Sequence, residues 1–204
     1  MPRLETALKH FKRADPHFYK ATRKYHTSLP GTLSGKHTRA QLFASLVSTV
    51  VSQQLGLAAA DAIFSRVKGA CKGRLTPEAI LGLRPALLRA AGLSGAKIKT
   101  LKAISKAIQN NSLDLLSLKK VPEADAAEQL MRIWGLGPWS SEMFLMFALG
   151  RPDVFSPGDL GLIRAMEAIY GLPKNAPRTS LLAISEKWSP HRTYASLLLW
   201  RTRD

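Results

Sequence analysis

The sequence predicts an all-α fold, and three observations carry that expectation. Nearly every segment spaces its apolar residues three and four apart. No run sustains the alternation of a strand bounded by hairpin turns. Proline, glycine and capping residues stand where helices would start and stop. In order, a helix over residues 4–11 stops near Asp15-Pro16, a basic helix follows to about Ser28, and Pro30-Gly31 and Ser34-Gly35 make a loop. From Gln41, the positions Leu42, Phe43, Leu46, Val47, Val50 and Val51 put an apolar stripe on one face of a central helix. Residues 58–67 continue helically, and Thr76-Pro77-Glu78 reads as an N-cap followed by proline in the first turn. Gly92-Leu93-Ser94-Gly95 breaks the chain before a basic amphipathic helix over residues 97–108.

Pro122-Glu123 opens the next helix, which runs to about Ile133, and Gly135-Leu136-Gly137 reverses the chain. Pro138 then starts a helix to about Leu149, because its missing N–H is one the first turn would leave unpaired anyway. Residues 150–157 form a connector, Asp159 stands where the helix over residues 160–170 needs its N-cap, and helices over residues 180–188 and 192–200 end the chain.

The 204 residues hold 30 Lys and Arg against 14 Asp and Glu, a formal net charge of +16. Residues 1–40 have nine basic against two acidic side chains, residues 41–120 twelve against three, and residues 121–204 nine against nine. The whole excess therefore lies in the first 120 residues, and on a chain that is 46% hydrophobic it points to a folded protein with a polyanionic partner, nucleic acid first. The one cysteine, Cys71, excludes a disulfide framework or a four-cysteine metal centre, and reads as an inert structural thiol. Residues 40–60 carry no charge, but Gln41, Ser45, Ser48, Ser52, Gln53 and Gln54 interrupt them, which fits a buried helix better than a membrane span. No secretory signal is read at the start, so an intracellular setting is expected, cytoplasmic in a bacterium or nuclear in a eukaryote. His10, His17, His26 and His37 lack metal-ligand spacing and are expected to be solvated.

Taken singly, the candidate motifs have ordinary readings. Gly135-Leu136-Gly137 suits a glycine C-cap between antiparallel helices as well as a phosphate-binding turn. Asp159 suits a helix cap, Gln53 and Gln54 a capped helix end, Trp139 a core indole, and His191 an exposed loop ring.

Their combination is more specific. Leu130-Met-Arg-Ile-Trp-Gly-Leu-Gly-Pro-Trp139, followed by Asp153-Val-Phe-Ser-Pro-Gly-Asp159-Leu-Gly-Leu162, resembles the signature of the helix-hairpin-helix DNA glycosylase superfamily. Trp139 and the Asp159-Leu-Gly run resemble its 3-methyladenine DNA glycosylase II (alkylpurine) branch. Val51-Ser-Gln-Gln-Leu-Gly56, Ala91-Gly-Leu-Ser94 with Lys97, Ala14-Asp15-Pro16, and Trp188-Ser-Pro-His-Arg-Thr-Tyr194 with Trp200 extend the likeness over nearly the whole chain.

The resemblance implies a two-lobed all-α glycosylase fold with its active site in the cleft between lobes. One lobe would span about residues 40–148, and the other about residues 1–39 with 149–204. It implies a monofunctional enzyme of DNA repair, because Trp139 stands where strand-cleaving members place a Schiff-base lysine. It also implies no cofactor and no metal, and a partner that is damaged double-stranded DNA, bound by a monomer without a membrane. Asp159 is the expected catalytic carboxylate. Trp139, Met143 and His191 are the expected walls of the base pocket, His191 standing where many relatives carry an aromatic residue. Gln54 and Leu55 would fill the gap left by the flipped nucleotide, and Gly92, Ser94, Lys97, Gly135 and Gly137 would hold phosphates. The alternatives are a non-enzymatic structure-specific DNA binder and a glycosylase for deaminated or oxidised bases.

Overall fold

In the computed structural model, which describes residues 3–36 and 38–203, the chain is helical throughout, and the described residues contain no strand beyond an isolated Arg3–Thr32 bridge. His37 lies outside the described residues. No helix among them is long and apolar enough to cross a membrane. The chain divides into two compact units, one continuous (36–149) and one discontinuous (1–35 with 150–204).

The continuous unit holds seven α-helices among the described residues. These are α3 (Arg39–Ser52), α4 (Leu57–Ala70), α5 (Pro77–Gly82), α6 (Pro85–Ala90), α7 (Gly95–Gln109), α8 (Glu123–Met131) and α9 (Pro138–Phe147). Helix α3 is the core, and Leu42, Phe43, Leu46, Val47, Val50 and Val51 are all buried on its packed face, as their spacing predicts. It starts two residues before Gln41 because Thr38 and Gln41 form a reciprocal capping box, the Thr38 hydroxyl accepting from Gln41 N at 3.1 Å. Helices α4, α7 and α9 pack on it. Thr76 caps α5 through Ala79 N at 3.2 Å, and Ser94 caps α7 through Lys97 N at 3.3 Å. The buried Cys71 has its thiol ionisation pushed up by burial, which fits an inert thiol.

The discontinuous unit begins with α1 (Leu4–Ala14), α2 (Pro16–Thr22) and a 3-10 turn (Arg23–Ser28). After the continuous unit it resumes with α10 (Leu160–Tyr170), α11 (Arg178–Ser185), a 3-10 turn (Glu186–Trp188) and α12 (Arg192–Arg201). Its core gathers Phe11, Phe18, Leu162, Met166, Trp188, Tyr194 and Leu198 from both ends of the sequence. At its centre Asp15, 4% exposed, accepts hydrogen bonds from Phe18 N at 3.0 Å, the Tyr170 hydroxyl at 2.6 Å and the Trp188 indole at 3.2 Å. Burial and the Asp15 carboxylate push the Tyr170 phenol well above its ordinary ionisation range. The expectation of solvated histidines needs correcting for His10 and His26, which are half-buried, whereas His17 is exposed as expected, and all three rings have polar neighbours. His10 Nε2 lies 2.9 Å from Lys187 O, His17 Nε2 2.7 Å from Ile169 O, and His26 Nε2 3.1 Å from the Thr22 hydroxyl.

Candidate functional site

In the discontinuous unit, the loop between Gly150 and α10 carries two aspartates, and their surroundings separate them. Asp153 is paired: its Oδ1 lies 2.9 Å from Arg192 Nε and its Oδ2 3.0 Å from Arg192 Nη2, with the Ser189 hydroxyl donating at 2.8 Å. Thr193 fastens the same loop, its hydroxyl donating to Arg151 O at 2.7 Å and accepting from Val154 N at 3.1 Å. The closing Trp188–Tyr194 motif therefore holds the loop in place. Asp159 stands at the N-cap of α10, where its Oδ1 accepts from Leu162 N at 2.9 Å and from the Trp200 indole at 2.9 Å. A helix N-terminus favours negative charge, and two donors on one oxygen fix the plane of the carboxylate. Gly161 makes this approach possible, since a Cβ there would sit 3.0 Å from Trp200 Cδ1 and 3.1 Å from Asp159 Oδ1. Leu160, beside Asp159, is 71% exposed.

Trp200 was quoted in the sequence only as part of a motif, and its contact with Asp159 adds it to the candidate site. His191 is turned onto α1, its ring centroid 5.5 Å from His10 and 6.4 Å from Phe11, with a buried Nδ1 that has no hydrogen-bond partner among the described residues. Burial first, then the neighbouring His10, pull its imidazole below the ordinary value, against the upward pull of Asp153.

In the continuous unit, α8 and α9 form a hairpin whose turn demands glycine. Gly135 has φ +86°, and a Cβ there would collide with the Thr100 side chain of α7. Leu136 is buried, Gly137 is the N-cap of α9, and Pro138 opens that helix without any side-chain cap. Trp139, Met143 and Phe147 follow at intervals of four on α9, which places them on one broad face. Trp139 is half-buried, Met143 is 6% exposed and Phe147 48% exposed. Phe147 was not among the sequence candidates, and only continuing the four-residue step past Met143 would have found it.

The turn between α3 and α4 separates the adjacent glutamines. Gln53 ends α3 and points inward, its Nε2 donating to Ser140 Oγ at 2.7 Å and to Gly135 O at 3.1 Å. Gln54 is exposed with φ +56°, Leu55 is exposed, and Leu57, at the start of α4, is 81% exposed. Lys97, expected at a phosphate, directs its ammonium to Val51 O at 2.8 Å and Gln53 O at 2.9 Å, where it caps α3. Burial pulls its ionisation below the ordinary lysine value. Gly92 has φ +105° and lies against Ile63 and Arg66, while Ser94 is exposed at the start of α7.

The chain is similar to known proteins. Residues 47–191 match the HhH-GPD superfamily of base excision DNA repair proteins. The chain is 35% identical over 163 residues to DNA-3-methyladenine glycosylase 1 of Schizosaccharomyces pombe, covering 78% of this chain and 72% of that protein. It is 31% identical to putative DNA-3-methyladenine glycosylase YfjP of Bacillus subtilis, covering 79% of this chain and 58% of that protein. Among solved structures, the 3-methyladenine DNA glycosylase of Schizosaccharomyces pombe in complex with abasic DNA is similar, with a TM-score of 0.86, 32% identity, and coverage of 97% of this chain and 96% of that one. With the hairpin, the loop and the capping aspartate all inside the matched segment, the chain belongs to the HhH-GPD superfamily of base excision DNA repair proteins.

Proposed function

We propose that the chain is a monofunctional DNA glycosylase that hydrolyses the N-glycosidic bond of alkylated purines, of the 3-methyladenine and 7-methylguanine type, in duplex DNA. The observation that carries this reading is the Asp159 carboxylate, oriented at a helix N-terminus by a backbone N–H and the Trp200 indole.

An alkylated purine has positive charge on its ring and is already a good leaving group. Its bond to C1′ breaks with the electron pair departing on the base, and the sugar becomes oxocarbenium-like. A preorganised carboxylate stabilises that charge without having to rearrange. Water then adds to C1′, its proton passing to Asp159, and an abasic site remains. Trp139 offers its electron-rich face to the cationic base, and Met143 backs the same wall of α9. Gln54 and Leu55 fill the gap left in the stack, as base flipping requires. Backbone donors around Gly135 and Gly137 hold a phosphate, and the turn from Gly92 to Ser94 holds another. The enzyme acts as a monomer inside the cell, where its duplex substrate is.

The test is base release from duplexes carrying 3-methyladenine, 7-methylguanine, ethenoadenine or hypoxanthine, with Asp159→Asn alongside. Release of the two methylated purines, reduced by about 10²-fold or more in the variant while DNA binding persists, is the expected result. No release of any base by the natural chain would leave a DNA-binding protein, and preference for hypoxanthine would move the substrate to deaminated bases.

A further inference from the structure

We infer that Gln53, Lys97 and Thr100 fasten the gap-filling turn to the hairpin, so that gripping a phosphate and inserting the wedge are one mechanical act. This rests on the reading that Gln54 and Leu55 enter the DNA stack.

The turn is conformationally costly. Gln54 takes φ +56°, a region in which a side chain with a Cβ is disfavoured. Such a conformation persists when its surroundings over-determine it. Two sets of bonds do so here. From below, the Lys97 ammonium binds the carbonyls of Val51 and Gln53, which α3 leaves without helical partners as it ends. From the side, the two hydrogens of the Gln53 amide reach Gly135 O and Ser140 Oγ, which lie at the two ends of the hairpin turn.

The hairpin rests on the same support. Thr100 follows Lys97 by one turn of α7, its hydroxyl donates to Ala96 O at 3.0 Å, and its side chain fills the space a Cβ at Gly135 would occupy. One face of α7 therefore seats both the turn that would enter the stack and the turn that would bind the backbone, and Gln53 joins the two. Neighbouring glutamines have opposite tasks: Gln53 positions, and Gln54 is presented.

A positioning role predicts a loss that depends on base pairing, because only a paired lesion needs the wedge. Gln53→Met keeps the length of the side chain and removes both donors. Single-turnover release of 7-methylguanine should fall about tenfold from a paired duplex, the worth of one or two hydrogen bonds, and change less than about twofold from single-stranded DNA. Lys97→Met should show the same pattern if Gln53→Met proves too unstable to assay. Equal losses in both contexts, or no loss in either, would overturn the inference. 2-Aminopurine beside a tetrahydrofuran abasic site reports opening of the stack without chemistry, and its fluorescence rise should shrink in both variants. If the natural chain released no base yet this difference held, the glycosylase reading would fall and the fastening would stand; an unchanged fluorescence rise would remove the fastening.

Discussion

Residues 36–149 contain 15 Lys and Arg against 7 Asp and Glu, and so do residues 1–35 and 150–204 together, so each unit carries a net +8. Along the sequence the last 84 residues are neutral and all the excess precedes them. The fold redistributes it, because the basic N-terminal helices belong to the unit that carries Asp159. Both units pair surface charges, the continuous one through Arg39–Asp114 at 3.3 Å and Arg132–Glu128 at 2.8 Å, and they differ at their candidate surfaces. In the discontinuous unit, Asp153 and Glu186 pair with Arg192, Glu167 with Arg164, and Glu5 with Lys9, while the donors at Asp159 Oδ1 are an indole and a backbone amide. The continuous unit instead places backbone dipoles, amides and exposed apolar side chains at its candidate surface. Asp153 is matched with a guanidinium, whereas the buried Asp15 and Oδ1 of Asp159 are each oriented by neutral donors.

The sharpest way to break this comparison is to remove one charge from each of the two loop aspartates. Asp159→Asn should slow excision about 10²-fold or more with little change in melting temperature. Asp153→Asn should retain chemistry at low temperature and lose about 2 kcal/mol of stability, because it breaks a half-buried paired network. Single-turnover rates and thermal melts of both variants decide the matter, and the reverse pattern would exchange their roles.

Smaller effects follow for the support of Asp159 and for the continuous unit. Trp200→Phe removes one donor from Oδ1 and should slow base release about tenfold. Gly161→Ala should do likewise by pushing the indole away, and wild-type rates in both would make Trp200 a packing residue only. In the continuous unit, Leu57→Asp places a charge on the exposed apolar start of α4. It should weaken duplex affinity about tenfold in a binding titration without altering the melting temperature, since apolar side chains pack against base steps and phosphates repel a carboxylate.

The smallest effect concerns pH. His191 binds its proton less readily folded than unfolded, so stability is constant above about pH 6.5 and falls as pH decreases below that value. His26 is shifted the same way by burial. His191→Phe should shrink the fall in melting temperature between pH 7.5 and 5.5 without removing it. An unchanged fall would mean that the ring titrates normally.

Most of the helices were legible because their signals are local. Thr76 before Pro77, Asp159 before Leu160, and Gly137 before Pro138 each mark a start by chemistry confined to one turn, and α3 declares its buried face by period alone. Helix α6 escaped because six residues are too few to display a period. The contact between Trp200 and Asp159 spans 41 residues, and nothing local to either announces it. Gln53 and Gln54 are chemically identical, and only backbone dihedrals set by distant groups turn one inward and the other out. Lys97 read as a phosphate contact because its charge is visible in sequence, whereas the carbonyl ends of α3 that claim it are not.

The buried Asp15 has a consequence for the order in which the protein assembles. Its indole partner, Trp188, lies 173 residues downstream. At synthesis rates of about 5–20 residues per second, the N-terminal helices wait roughly ten seconds or more for the groups that complete their core. The continuous unit emerges whole during that interval. The N-terminal arm thus stays unclosed while that unit is made, and the loop bearing Asp153 and Asp159 is fastened only when Ser189, Arg192, Thr193 and Trp200 arrive.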